Sequence, residues 1–264
     1  MGWLVDWALQ QFFLFTLVFF RTGGLVIAAP GYGSSEIPLQ IRALFAFSLA
    51  LVLTPLQDLG SVPQTQGLLG YGLLTAGELA LGFMLGFGVA VILLGIELGG
   101  ELIARMGGVM MSDVYDPSAE SEVPVFSRLL FLLALTVYLA VGGHRLLLEG
   151  LIESFRVLPP GRVLSAEQYP ALLVDLVSQS FVLGIRVGAP AATALLTATL
   201  VLGLVSRTLP QLNLLMLGFG INAVVAMGAL LLTVGLIAQV FEQHLDSALG
   251  DMFGVLLSAD TAGG

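Results

Sequence analysis

Gly67-Leu-Leu-Gly-Tyr-Gly-Leu-Leu-Thr-Ala-Gly-Glu78-Leu-Ala-Leu-Gly82-Phe-Met-Leu-Gly86-Phe-Gly-Val-Ala-Val-Ile-Leu-Leu-Gly95-Ile-Glu97-Leu-Gly99-Gly100-Glu101-Leu-Ile103 is one apolar run broken only by carboxylates at 78, 97 and 101. At about 1.5 Å per residue it would reach roughly 55 Å as a helix, far beyond the roughly 30 Å hydrocarbon core of a bilayer. The stretch is therefore expected to be kinked, to be broken, or to project beyond a membrane. Gly82 with Gly86, and Gly95 with Gly99, are pairs four apart that lie on one helical face and let another backbone approach closely. Helix-on-helix packing is the reading.

The rest of the chain agrees with that start. Of 264 residues 57% are hydrophobic and 10% charged, and the mean hydropathy is +1.00. Soluble domains carry about a quarter of their residues as charges, so this chain belongs in or against a membrane. Its basic residues are all arginine and its net charge is −9, which leaves no basic surface to track a nucleic-acid backbone. Without cysteine it has neither disulfide nor thiolate nucleophile.

Working outward, Trp3 to Ala29 reads as a first helix, ended by Pro30-Gly-Tyr-Gly-Ser-Ser-Glu-Ile-Pro38. Asp6 stands where a signal peptide would carry positive charge, so this helix is expected to be retained. Leu39 to Thr54, stopped by Pro55, is expected to fall short of a span at about 24 Å. Val125 to Glu153 reads as one further helix, and Ser154 to Tyr169, with Pro159-Pro160-Gly161, as a loop. Pro170 to Ser206 and Leu212 to Gln243 form a hairpin through Arg207-Thr-Leu-Pro210-Gln211-Leu-Asn213. The expectation is an all-α integral membrane protein of about six hydrophobic helical segments arranged as hairpins. It is a single domain over 1–249 with a small polar tail from 250 onward.

Arg105 to Pro124 resembles neither apolar block beside it. It holds Met106, Met110, Met111 and Tyr115, too hydrophobic for a linker, together with Gly107, Gly108, Asp116-Pro117 and Pro124, too broken for a packed helix. It reads as an ordered loop with a task.

Single ionisable groups inside apolar runs are functional candidates, because a charge at the bilayer centre costs at least about 2.5 to 3.5 kcal/mol. Arg21, Glu78, Glu97, Asp175 and Arg186 qualify; the blander reading is that they pair with one another or face protein. His144 and His244 have no acid at metal-ligand spacing, and no hydrolase, Walker or dinucleotide fingerprint occurs. Neither an enzyme nor a cofactor is expected.

Several separated pieces together resemble the FliR family of the flagellar type III protein export gate and its injectisome counterparts. They are Phe20-Arg21-Thr-Gly-Gly24, Ala29-Pro30, and Ile37-Pro38 with Arg42. Further along come Gly99-Gly-Glu101, Asp116-Pro117, Gly142-Gly-His144, and Ser154-Phe155 with Leu158-Pro159. The last are Arg207 with Pro210-Gln211-Leu-Asn213 and Gly218-Phe219.

The resemblance implies a non-enzymatic subunit of the inner-membrane export gate in the flagellar basal body. It implies FliP, FliQ, FlhB and FlhA as partners beside membrane lipid, with unfolded flagellar proteins as the cargo. Part of the assembly would lie on the periplasmic side, and the buried arginines and glutamates would meet neighbouring subunits. The family's plug loop falls at about 106–122 here, with Met110, Met111 and Tyr115 as the seal and Gly107 and Gly108 as the hinge. The rival expectation is a secondary transporter with a midplane site at Glu78, Glu97, Asp175 and Arg186, against which the absence of an internal repeat counts.

Overall fold

The computed structural model describes residues 2–33, 37–57, 67–107, 125–162, 168–208, 218, 220–231 and 250. Gly108, Met110, Met111, Tyr115, Asp116 and Pro117 of the expected plug, and Pro210, Gln211 and Asn213 of the expected hairpin turn, lie outside the described residues. Within them the ordered elements are all helical: α1 (Gly2–Ala28), α2 (Leu39–Leu53), α3 (Leu68–Met106), α4 (Val125–Ala140), α5 (Gly143–Val157), α6 (Gln168–Thr208) and the short α7 (Gly220–Leu231). Among the described residues four helices are long and apolar enough to cross a membrane, and a fifth counts if α4 and α5 make one span. This is the build of a helical integral membrane protein.

Three expectations are sharpened or changed. The long run, expected to be kinked, broken or projecting beyond a membrane, is one unbroken 39-residue helix, α3; its glycines sit where helices cross and no proline interrupts it. The segment expected to be too short is lengthened by a 3-10 turn over Thr54–Leu56, and Leu39–Leu56 reaches 18 residues of spanning hydropathy. Pro55 turns the helix into a tighter coil there before it ends.

The third change is at Val125 to Glu153, which is two helices. Gly142 adopts φ +79° and its carbonyl accepts from the amides of Arg145 and Leu146, starting α5 afresh. Left-handed backbone costs an L-residue roughly 1–2 kcal/mol, so Gly142→Ala is expected to destabilise by about 1 kcal/mol in a detergent unfolding titration. Unchanged stability would show that the break does not depend on glycine.

The chain divides into two compact units, one holding α1, α2, the first part of α3 and Gly142–Leu176, the other Val91–Val141 with the rest of α6 and α7. In the first, α1 and α2 form an antiparallel hairpin around the Pro30–Gly33 turn. The Gly33 amide donates to the Ala29 carbonyl, Arg42 donates to the Gly33 carbonyl, and the Tyr32 and Phe45 rings stack. Phe47 of α2 meets Phe15 and Phe19 of α1 edge-on, and Thr22 donates to the Ala46 carbonyl. In the second unit α3 and α6 run parallel, Gly95 and Gly99 lying against Ser180, Gly184 and Gly188. Pro190 lies inside α6 and gives no N–H to its ladder, yet the helix continues through it.

α5 is amphipathic. Leu147, Gly150, Leu151, Ser154 and Phe155 are buried, while Arg145 with Glu149, and Glu153 with Arg156, pair on the exposed side.

Candidate functional site

The first unit centres on a buried charge. α1 brings Arg21 and α3 brings Glu78, each with no exposed surface. Burying either alone would be prohibitive, and an ion pair is tolerated in such a place only when its remaining polar atoms are satisfied too. Here most are. Arg21 Nε donates to Glu78 Oε2 at 2.5 Å, and Glu78 Oε1 accepts the Gly161 amide at 2.7 Å. Arg21 Nη1 donates to the carbonyls of Leu158 at 2.9 Å and Ser154 at 3.1 Å. The guanidinium carbon also lies 4.3 Å from the centre of the Phe155 ring, an arrangement in which the ring's electron-rich face favours the cation.

Two local features make the geometry possible. Glycines remove the side chains between α1 and α3, which run parallel: a methyl at Gly82 would meet the Arg21 carbonyl oxygen, one at Gly24 the Leu79 carbonyl oxygen, and one at Gly86 the Leu25 carbonyl oxygen. Only backbone-to-backbone approach lets the two side chains meet inside so narrow a gap. The second feature is the turn after α5. The Arg162 amide donates to the Pro159 carbonyl at 3.1 Å, and Gly161 has φ +89°. Proline at the second position and a positive-φ glycine at the third fit a type II turn, whose Gly161 amide is left to point at Glu78. Tyr169 then ties the chain back to α3 through the Gly77 carbonyl, and Leu158 packs with Leu81, Val157 and Tyr169.

This arrangement is a lock between α1, α3 and the end of α5. Both carboxylate oxygens of Glu78 are engaged and Arg21 is sealed from solvent, so neither is placed to act on a substrate. Arg21 and Glu78 meet each other, because the parallel glycine crossing puts them at one level of the same chain.

The other expected residues are more dispersed. Glu97 is half-buried in the second unit, in the field of Arg128. Pro30 belongs to the α1–α2 turn, Pro38 directly precedes α2, and Arg42 in the first turn of α2 reaches back to the Gly33 carbonyl. Arg207 sits exposed in the last turn of α6, where a cation suits the helix dipole. Met106 ends α3. Gly107 closes the last turn with its amide on the Ile103 carbonyl, and a methyl added there would lie 3.7 Å from the Ala226 methyl of α7. No group of three potential metal ligands occurs among the described residues.

Sequence reasoning missed Gly161, Leu158 and Phe155 as partners of the pair. The one signal was the Pro160-Gly161 dipeptide, which forecasts a turn but not what its amide faces.

A helical membrane protein whose first helix is locked to α3 and to the end of α5 through a buried arginine–glutamate pair is the class defined so far. The family described as "Bacterial export proteins, family 1" matches residues 12–248, and the chain belongs to that family. It is 30% identical to the flagellar biosynthetic protein FliR of Caulobacter vibrioides over 245 residues, covering 92% of this chain and 96% of that one. It is 28% identical to the FliR of Aquifex aeolicus, covering 91% and 93%. The secretion system apparatus protein SsaT of Salmonella typhimurium is 29% identical over a shorter stretch, 61% of this chain and 62% of its own.

Proposed function

We propose that this protein is a non-enzymatic core subunit of the flagellar type III export apparatus in the bacterial inner membrane. The observation that carries the reading is the family match, which runs through nearly the whole chain. The flagellar relatives named above cover over nine-tenths of it, whereas the secretion-apparatus relative covers 61%, which favours the flagellar system. With that reading go FliP, FliQ, FlhB and FlhA as neighbours and unfolded flagellar proteins as cargo. The assembly sits in the basal body, partly on the periplasmic side.

The stretch 106–122 acts as its plug. Support comes from its composition and from its stem: α3 ends with Met106 and Gly107, the latter beside Ala226 of α7. Met110, Met111 and Tyr115 would close the passage through adaptable apolar contact, and Gly108 would bend. The carrier reading loses its first residue, since Glu78 is consumed by Arg21 and Gly161.

Deleting residues 108–115 is expected to raise passage of small ions through the assembled gate several-fold while FliP and FliQ still co-purify. Unchanged conductance in an assembled complex would remove the plug assignment. Failure to co-purify in the unaltered protein would remove the subunit reading itself.

A further inference from the structure

We infer that the first turns of α1 are an aromatic anchor in the headgroup region of the bilayer, with Trp3 and Trp7 as its contact residues and phospholipid as its partner. The chain has two tryptophans, and both stand at this one end, 71% and 53% exposed. Residues 3–10 are exposed on every side and Leu14 is the first buried residue of the helix, so no other part of the chain among the described residues covers them.

Their chemistry is that of an interface. With helical spacing, Asp6 and Gln10 share a face with Trp3 and Trp7, while Leu4, Val5, Leu9 and Phe12 occupy the other. Hydrocarbon would penalise Asp6, and water would penalise the apolar face; the headgroup boundary accepts both, and indole rings concentrate there. Helix length agrees. From Trp7 to Ala28, at about 1.5 Å per residue, is roughly 32 Å, close to the roughly 30 Å hydrocarbon core, and the turn with Tyr32 follows at the far end. α2 runs back from Phe47, opposite Phe15, and its closing 3-10 turn touches α1. The polar residues Thr54 and Gln57 therefore come down toward the same end of α1.

No lysine or arginine stands before Arg21, so basic side chains do not supply this attachment; indoles do. The proposal is independent of the plug.

Since all tryptophan emission of the chain comes from these two positions, the unaltered full-length protein serves as its own probe. It is placed in nanodiscs of phosphatidylcholine brominated at a shallow or a deep acyl position, and iodide is added from the water. Shallow bromines are expected to quench at least twofold more than deep ones, and iodide less than half as well as it quenches free tryptophan. Three results would overturn the inference: deeper quenching equal to shallow, full iodide access, or protection from both quenchers, the last meaning that protein covers this end. Single Trp3→Phe and Trp7→Phe proteins then assign the signal, each retaining shallow quenching.

Discussion

Replacing Glu78 with alanine while Arg21 stays is expected to destabilise the protein by about 3–5 kcal/mol, the usual cost of leaving a buried charge without its partner. Arg21→Ala should cost as much, since it strips the donors from Leu158 and Ser154 and leaves the Glu78 carboxylate unpaired. Arg21→Lys is expected to rescue little, because one ammonium cannot copy a planar fork that serves a carboxylate and two carbonyls together. The charge-swapped pair should fail as well: it would set a guanidinium against the Gly161 amide and a carboxylate against the Leu158 carbonyl. Replacing both residues by methionine removes the charges together, so the double variant should be more stable than either alanine single. Denaturant titration in detergent gives all five values. Full recovery in the charge swap would show that the pair's surroundings are indifferent to its orientation, and the lock as described would not stand.

How much of this was legible beforehand follows from what each feature costs. Arg21 and Glu78 stand out in the sequence because a lone charge in an apolar run needs a reason. Their pairing does not, since 57 residues separate them and only the return of the chain through α2 makes α1 and α3 parallel neighbours. The four-residue glycine spacing was readable as a close crossing, and it is one. The Gly142-Gly143 pair is a turn signal, but the hydropathy that runs on across Val141 outweighed it, and the break was not read. Continuity of α3 was equally hidden, because a run too long for one span looks the same whether it bends or not. Gly161 joined the site through a backbone amide, a group every residue but proline possesses, so no side-chain pattern could have announced it.

The glycine crossing and the lock are expected to fail together. A methyl at Gly82 would stand 1.8 Å from the Arg21 carbonyl oxygen and 3.0 Å from the Leu25 amide nitrogen. These are backbone atoms with no flexible end to swing aside, so α1 must move away from α3 by more than an ångström. Glu78 lies one turn before Gly82, and Arg21 is the very residue pushed, so that motion opens the ion pair it was meant to enclose. Gly82→Ala is therefore expected to exceed the usual 1–3 kcal/mol of an overpacked site, reaching about the loss seen on removing Glu78. Gly23→Ala makes the comparison sharp. It lies one residue from Gly24 but has nothing within 4 Å, and alanine there should stabilise by roughly 0.5–1 kcal/mol through helix propensity. If crossing and lock are one mechanism, Gly82→Ala added to Glu78→Ala will cost much less than the sum of the two, as residues sharing one contact do. Additive losses would mean that the helices can separate without disturbing Arg21, and the glycines would then serve packing alone.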